Sequence, residues 1–305
     1  MSSLLRAYPI RQSLPPGPLG QGYFVRDASG RVGRLKIGYP FWAQEPALAR
    51  AFEAYMRTLR AGAGMLQPVL YPPVYSGQVE ARPFVMDYWY PRAGVSGPLA
   101  PSIAVAWIWV FGHALARLHA LGLVHGGVGR SNVGQDSNGQ LHLLDAGWRP
   151  AAFARPKEVM DHLAPRLPYM DSLAPEVRQG YPLTFKADVY GLAHLLHEWL
   201  VGPFRAGVQP ATFPPGWEEV LRAGLEPDPE VRADLPLWLS LLAEQAHAQG
   251  IRLEASLLPA DWDAVVSLPP AAIKPSPQAA RSAEGAAEAA PSAPAPEAAP
   301  FAEGA

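Results

Sequence analysis

Two side chains in residues 123–148, LVHGGVGRSNVGQDSNGQLHLLDAGW, have the types and spacing for metal chemistry. Asn132 offers an amide oxygen, and Asp145 a carboxylate at the end of an apolar run. Such oxygens can converge on a divalent cation, because Mg²⁺ is held by one or two protein side chains together with substrate phosphates and water. Alone, an Asp-Ala-Gly after a strand also reads as a simple turn. Upstream, Lys36 lies between Leu35 and Ile37 in a chain with four lysines against 21 arginines, so it is not filler. As an alternating strand residue it could equally face solvent. His194 and His197 share one helix without a nearby third ligand and read as core or surface residues. No Gly-x-Ser-x-Gly nucleophile elbow is present.

Composition narrows the classes. The 305 residues carry a formal charge of −2 and only 17% charged residues, which advertises neither nucleic acid nor an anionic membrane as partner. Zero cysteines remove disulfide scaffolds, thiolate nucleophiles and cysteine-ligated zinc. The most apolar run, 103–112, is shorter than a spanning helix requires and reads as a buried core helix. The first residues lack the apolar stretch of a secretory signal, so a cytoplasmic protein is expected.

The elements that must position these residues fall into two groups. Strands are expected over 8–14, 22–26, 32–37, 69–75 and 82–88, with one helix over 45–60, where Leu48, Phe52, Met56 and Leu59 recur at helical spacing. Helices are expected over 103–121, 189–201, 217–223 and 235–248, each followed by a glycine within a residue or so. Two short strand-like runs, 132–133 and 141–144, flank a turn at 136–139. Residues 269–305 are rich in alanine and proline and read as a disordered tail.

Six motifs in order give this chain a resemblance to the eukaryotic-type protein kinase family over residues 8–250. His125–Asn132 resembles the catalytic loop, and Asp145-Ala146-Gly147 the Asp-Phe-Gly metal motif. Ala174-Pro175-Glu176 matches Ala-Pro-Glu. Asp188-Val189-Tyr190-Gly191-Leu192 resembles the start of the family's buried helix, and Arg232 the arginine that pairs with the Ala-Pro-Glu glutamate. Lys36 falls where the phosphate-contacting lysine belongs. The resemblance implies an α+β bilobal fold, with a β-rich small lobe over 1–86, a hinge and helical large lobe over 87–268, and the tail beyond. It implies ATP and Mg²⁺ as cofactors: Gly17, Gly20 and Gly22 over the phosphates, Asp87, Tyr88 and Trp89 at the hinge, Asn132 and Asp145 on the metal. It also implies an acid paired with Lys36, Glu53 in mid-helix or Glu45 at its start.

Departures from the family pattern concentrate on chemistry. Gly127 stands at the catalytic aspartate, Gly126 at the arginine before it, Gly129 at the loop lysine with Arg130 beside it, and Ala146 at the motif aromatic. Arg34 occupies the site of the small alanine that roofs adenine. The loop glycines fit no single register, and Pro16 and Pro18 stiffen the turn between them. Loss of a general base costs about 10²–10⁴-fold, leaving on the order of 10⁻⁴–1 s⁻¹ of a kinase's turnover. The expected function is therefore a serine/threonine-kinase-related protein with impaired phosphotransfer, acting through nucleotide and a protein partner or substrate. An active kinase with a non-standard loop, a small-molecule phosphotransferase suggested by the His-Gly start, and a nucleotide-free scaffold are the alternatives.

Overall fold

The computed structural model describes residues 3–258 apart from 89–91, 94, 96, 136–138, 155, 171, 205–209, 211 and 254–256. Trp89 and the 269–305 stretch thus lie outside the described residues. Five antiparallel strands build the small lobe: β1 (Ile10–Ser13), β2 (Gly20–Arg26), β3 (Val32–Gly38), β4 (Tyr75–Val79) and β5 (Arg82–Tyr88), in the order β1-β2-β3-β5-β4. Successive side chains on a strand face opposite sides. In β3, Leu35 and Ile37 enter an outer cluster with Val25, Val79 and Met86. Arg34 and Lys36 consequently face the other way, toward the large lobe. The register pairs Arg34 with Asp87 and Lys36 with Val85, which places Asp87 on that same inner face.

Helix α1 (Ser3–Ala7) precedes the sheet, and α2 (Phe41–Gln44), α3 (Pro46–Ala61) and α4 (Ala63–Leu66) follow β3. Helix α3 opens with a proline in its first turn, where no N–H is needed. It buries Leu48, Phe52, Tyr55, Met56 and Leu59, a stripe at three- and four-residue spacing. The strand expected over 69–75 does not form. Pro72 and Pro73 have no N–H for a ladder, so residues 69–74 run irregularly, with Leu70 bridging Leu143. Strand β4 begins at Tyr75 instead.

The large lobe centres on α5 (Pro101–Ala120), which extends the apolar 103–112 run to 20 residues. By length and composition, with a mean hydropathy of 1.3, it now suffices to cross a membrane, yet 61% of that window is buried inside the protein. It serves as the expected core helix. Strands β6 (Arg92–Ala93), β7 (Val133–Gln135) and β8 (Leu141–Leu143) form a small second sheet. Helices α6 (Trp148–Ala152), α7 (Pro156–Leu163) and α8 (Pro175–Arg178) follow, then α9 (Phe185–Leu200), α10 (Glu218–Leu225) and α11 (Leu235–Ala248). Asp234 caps α11, accepting from the Leu237 amide at 2.9 Å. Helix α9 packs against α5 and α10 and is buried from Ala187 to Trp199. A single apolar core runs from Phe41, Trp42 and Phe52 through α5, α9 and α11. The result is an α+β bilobal fold of the kinase kind.

Candidate active site

Lys36 and Asp145 meet between the lobes. The Lys36 ammonium donates to Asp145 Oδ2 at 2.7 Å, and Arg34 Nη2 donates to Asp145 Oδ1 at 2.8 Å and to Asp87 Oδ2 at 2.9 Å. Two cations and two carboxylates form one closed network, with side chains 10–20% exposed. Asp145 holds a left-handed backbone, φ 64°, a conformation that costs a non-glycine residue about 1–3 kcal/mol and persists only where its surroundings enforce it. Burial opposes the Asp145 charge, but Arg34 and Lys36 outweigh it and keep the carboxyl well below the usual range. Burial likewise opposes the Arg34 charge, and Asp145 and Asp87 more than restore it. At Lys36 burial prevails over Asp145 and lowers the pKa, and at Asp87 burial prevails over Arg34 and raises it.

Lys36 has no acid from α3. Glu53, expected to pair with it, is exposed and accepts from Gln78 Nε2 at 2.8 Å. The reason is helical phase: Phe52 and Met56 belong to the buried stripe, and the residue after Phe52 is turned about 100° away, onto the β4 side. Glu45 sits at the helix N-cap. In the acid's place Lys36 has the Trp148 indole, with Nζ 4.6 Å from the ring centroid. Trp148 in turn packs on Phe52 and edge-on to Trp42, at centroid distances of 5.0 and 5.7 Å. Gly147 makes that approach possible: at φ 91°, a Cβ there would sit 2.6 Å from Met56 and Tyr55. Beyond it, His162 stacks on Phe41, and the Arg166 guanidinium lies over the Tyr39 and Phe41 rings. The segment after Asp145 is thereby folded as helix against α2 and α3.

Asn132 is held by its amide nitrogen. Its Nδ2 donates to the Gly127 carbonyl at 2.8 Å, although its backbone carbonyl holds the Leu144 amide next to Asp145. The loop glycines belong to the hairpin of β1 and β2. Gly20 and Gly22 lie within β2, paired with Gly38 and Lys36, and the Gly17 amide donates to the Gly20 carbonyl. The Gly17 and Leu19 carbonyls accept from Tyr39 Oη and Trp42 Nε1, both at 2.9 Å. Leu19 is buried in the shared core. The turn is tied down onto α2, with the Gly17 amide spent on the turn itself. Tyr88 ends β5 opposite Gly33.

Around this cleft buried bonds support the loop and the large lobe. Asp188 accepts from the His125 and Gly126 amides at 2.8 and 2.7 Å and meets His119 Nε2 at 2.9 Å, so the start of α9 holds the 125–132 loop. Arg232 clasps Glu176 with two bonds of 2.8 Å and also donates to the carbonyls of Glu226, Lys186 and Pro227. Ser172, the single serine or threonine between Asp145 and Glu176, is buried and donates to the Val128 carbonyl.

No family model matches the chain; individual proteins do. It is 28% identical over 299 residues to the serine/threonine-protein kinase PknH of Mycobacterium tuberculosis, a match covering 85% of this chain and 46% of the relative. With PknE of the same organism it is 26% identical over 252 residues, covering 74% and 43%. With PknD it is 27% identical over 254 residues, covering 74% and 37%. The chain is related to serine/threonine protein kinases. It spans less than half the length of these three. For a kinase relative, two residues in the cleft carry weight that sequence reasoning did not assign. Trp148 stands directly after Asp145-Ala146-Gly147, and that place brings it to Lys36. Arg34 stands at the site of the adenine-roofing alanine, and the alternation of β3 puts it on the Lys36 face, where it reaches Asp145.

Proposed function

We propose that this chain is a kinase-like protein that acts by binding a protein partner, with phosphotransfer impaired. Gly127 carries the reading. At the position where the resemblance places the base, there is no side chain, and a Cβ built there would lie 2.9 Å from Asn132 Nδ2 and 3.5 Å from His125 Nδ1. A side chain at this position would crowd the Asn132 amide, which is bonded to Gly127's own carbonyl. The unpaired relation of Glu53 to Lys36 supports the same conclusion, because positioning and charge stabilisation supply most of phosphoryl-transfer catalysis. The bonds of Asp188, Glu176 and Arg232 meanwhile keep the large lobe intact as a binding body.

Transfer of labelled phosphate from Mg-ATP to a generic acceptor such as casein tests this. Wild-type turnover is expected below ~1 s⁻¹. Turnover at kinase rates that disappears in Asp145→Ala would overturn the proposal.

A further inference from the structure

We infer that Arg34 is a built-in occupant of the cleft, whose guanidinium stands where nucleotide and metal would enter and ties β3, β5 and Asp145 together without either. The inference rests on the proposed function only for the kinase-like placement of the cleft, and it concerns binding rather than transfer.

Three observations carry it. The first is neutralisation of the metal carboxylate. Asp145 Oδ1 accepts from Arg34 and Oδ2 from Lys36, both at the short distances of charge-assisted bonds. A Mg²⁺ ion needs such an oxygen at about 2.0–2.1 Å in a near-octahedral shell, and there it would lie against the Arg34 and Lys36 cations that already balance the carboxylate, so Arg34 opposes the ion by charge. Asn132, the second expected ligand, donates its Nδ2 to the Gly127 carbonyl, a bond that leaves its oxygen out of account, so the misfit rests on Asp145 and Arg34. The residues present do not fit Mg-ATP as they stand.

The second observation is space. A cavity beside the network has a volume of about 240 Å³, lined by Arg34, Asp87 and Asp145 together with Val85, Leu144 and Ala146. Pockets for drug-sized ligands and cofactors run to roughly 300–1,000 Å³. Among the described residues, a nucleotide entering this cavity would meet the Arg34 side chain, and its withdrawal would enlarge the space.

The third is charge. With Arg34 in place, two cations balance two carboxylates. Without it, Asp87, Asp145 and Lys36 sum to −1, a balance that favours a divalent cation. The Lys36–Asp145 pair and the Trp148 indole over Lys36 do not depend on Arg34, so its removal opens the site and leaves the rest of the wall standing. Arg34 thus acts as a plug, and the same bonds act as a staple across the cleft, because Asp145 follows β8 of the large lobe while Arg34 and Asp87 belong to the small-lobe sheet.

Titration of the full chain with a fluorescent N-methylanthraniloyl ATP, with and without Mg²⁺, tests the inference. Wild type should show no saturable binding, and Arg34→Ala should bind with an affinity raised about tenfold or more, dependent on Mg²⁺. Arg34→Met, which keeps the apolar stem and loses the charge, serves as the second variant should the alanine variant not fold. Saturable binding by wild type as tight as by either variant would overturn the inference, as would the failure of both folded variants to bind. Binding by wild type as tight as by the variants, without phosphate transfer, would end this inference and leave the proposed function standing; such binding with transfer at kinase rates would end both.

Discussion

Two buried ion-pair sites differ in what they connect. Glu176 and Arg232 lie within the large lobe; the Arg232 side chain is fully buried, and three carbonyls take up its remaining N–H groups. Arg34, Asp87, Lys36 and Asp145 bridge between lobes, keep 10–20% exposure and bond almost entirely with one another. The first arrangement is completed by the fold. The second closes on itself, in a place where the kinase resemblance expects a ligand to complete it. Residues whose partners are protein have kept their kinase-like geometry, and those whose partner would be Mg-ATP have acquired protein substitutes.

The sharpest way to break this contrast is to remove one partner from each site. Arg232→Met strands the Glu176 carboxylate and should cost about 3–5 kcal/mol in urea denaturation; a loss below about 1 kcal/mol would mean that the large-lobe pair does no more than a surface bridge. Asp145→Asn keeps Arg34 bonded to Asp87 and offers Lys36 an amide oxygen, so the expected loss is about 1–3 kcal/mol. Should Asp145→Asn prove the more damaging of the two, the self-contained character of the cleft network is disproved.

The smallest effect separates the regions by pH. Burial holds His113 at a pKa of about 4, with Arg117 adding to it, and His194 at about 3, with His197 adding to it. Folded-state values below the unfolded value near 6.5 mean that this stability is fully present above pH 6.5 and is lost as pH falls toward 4. Asp145 titrates in a more acidic range, so it stays ionised there. The urea midpoint should fall between pH 6.5 and 4, and His113→Phe should flatten the decline by on the order of 1–2 kcal/mol. Asp145→Asn should leave the slope in that window unchanged; a changed slope would place the titrating group in the cleft.

What could be read in advance follows the same division. Glu176, Arg232 and Asp188 were legible because each sits in a short motif whose partner is fixed by the fold. Most strands and long helices announced themselves by alternation or by apolar spacing. Glu53 misled because the choice of partner turns on helical phase: Phe52 and Met56 define the buried stripe, and the acid falls just outside it. The strand over 69–75 failed on its prolines, whose lost donors outweigh the apolar run. The helices after Asp145 went unread because no long periodic stripe marks them. They are held by aromatic contacts, Trp148 on Phe52 and His162 on Phe41, between residues far apart in the chain.

That helical segment has a consequence for signalling. Its one serine or threonine, Ser172, lies inside the protein with its hydroxyl engaged by the Val128 carbonyl. An upstream serine/threonine kinase meets no accessible acceptor on this stretch as it is folded, so a phosphoryl mark there would require the segment to come loose first.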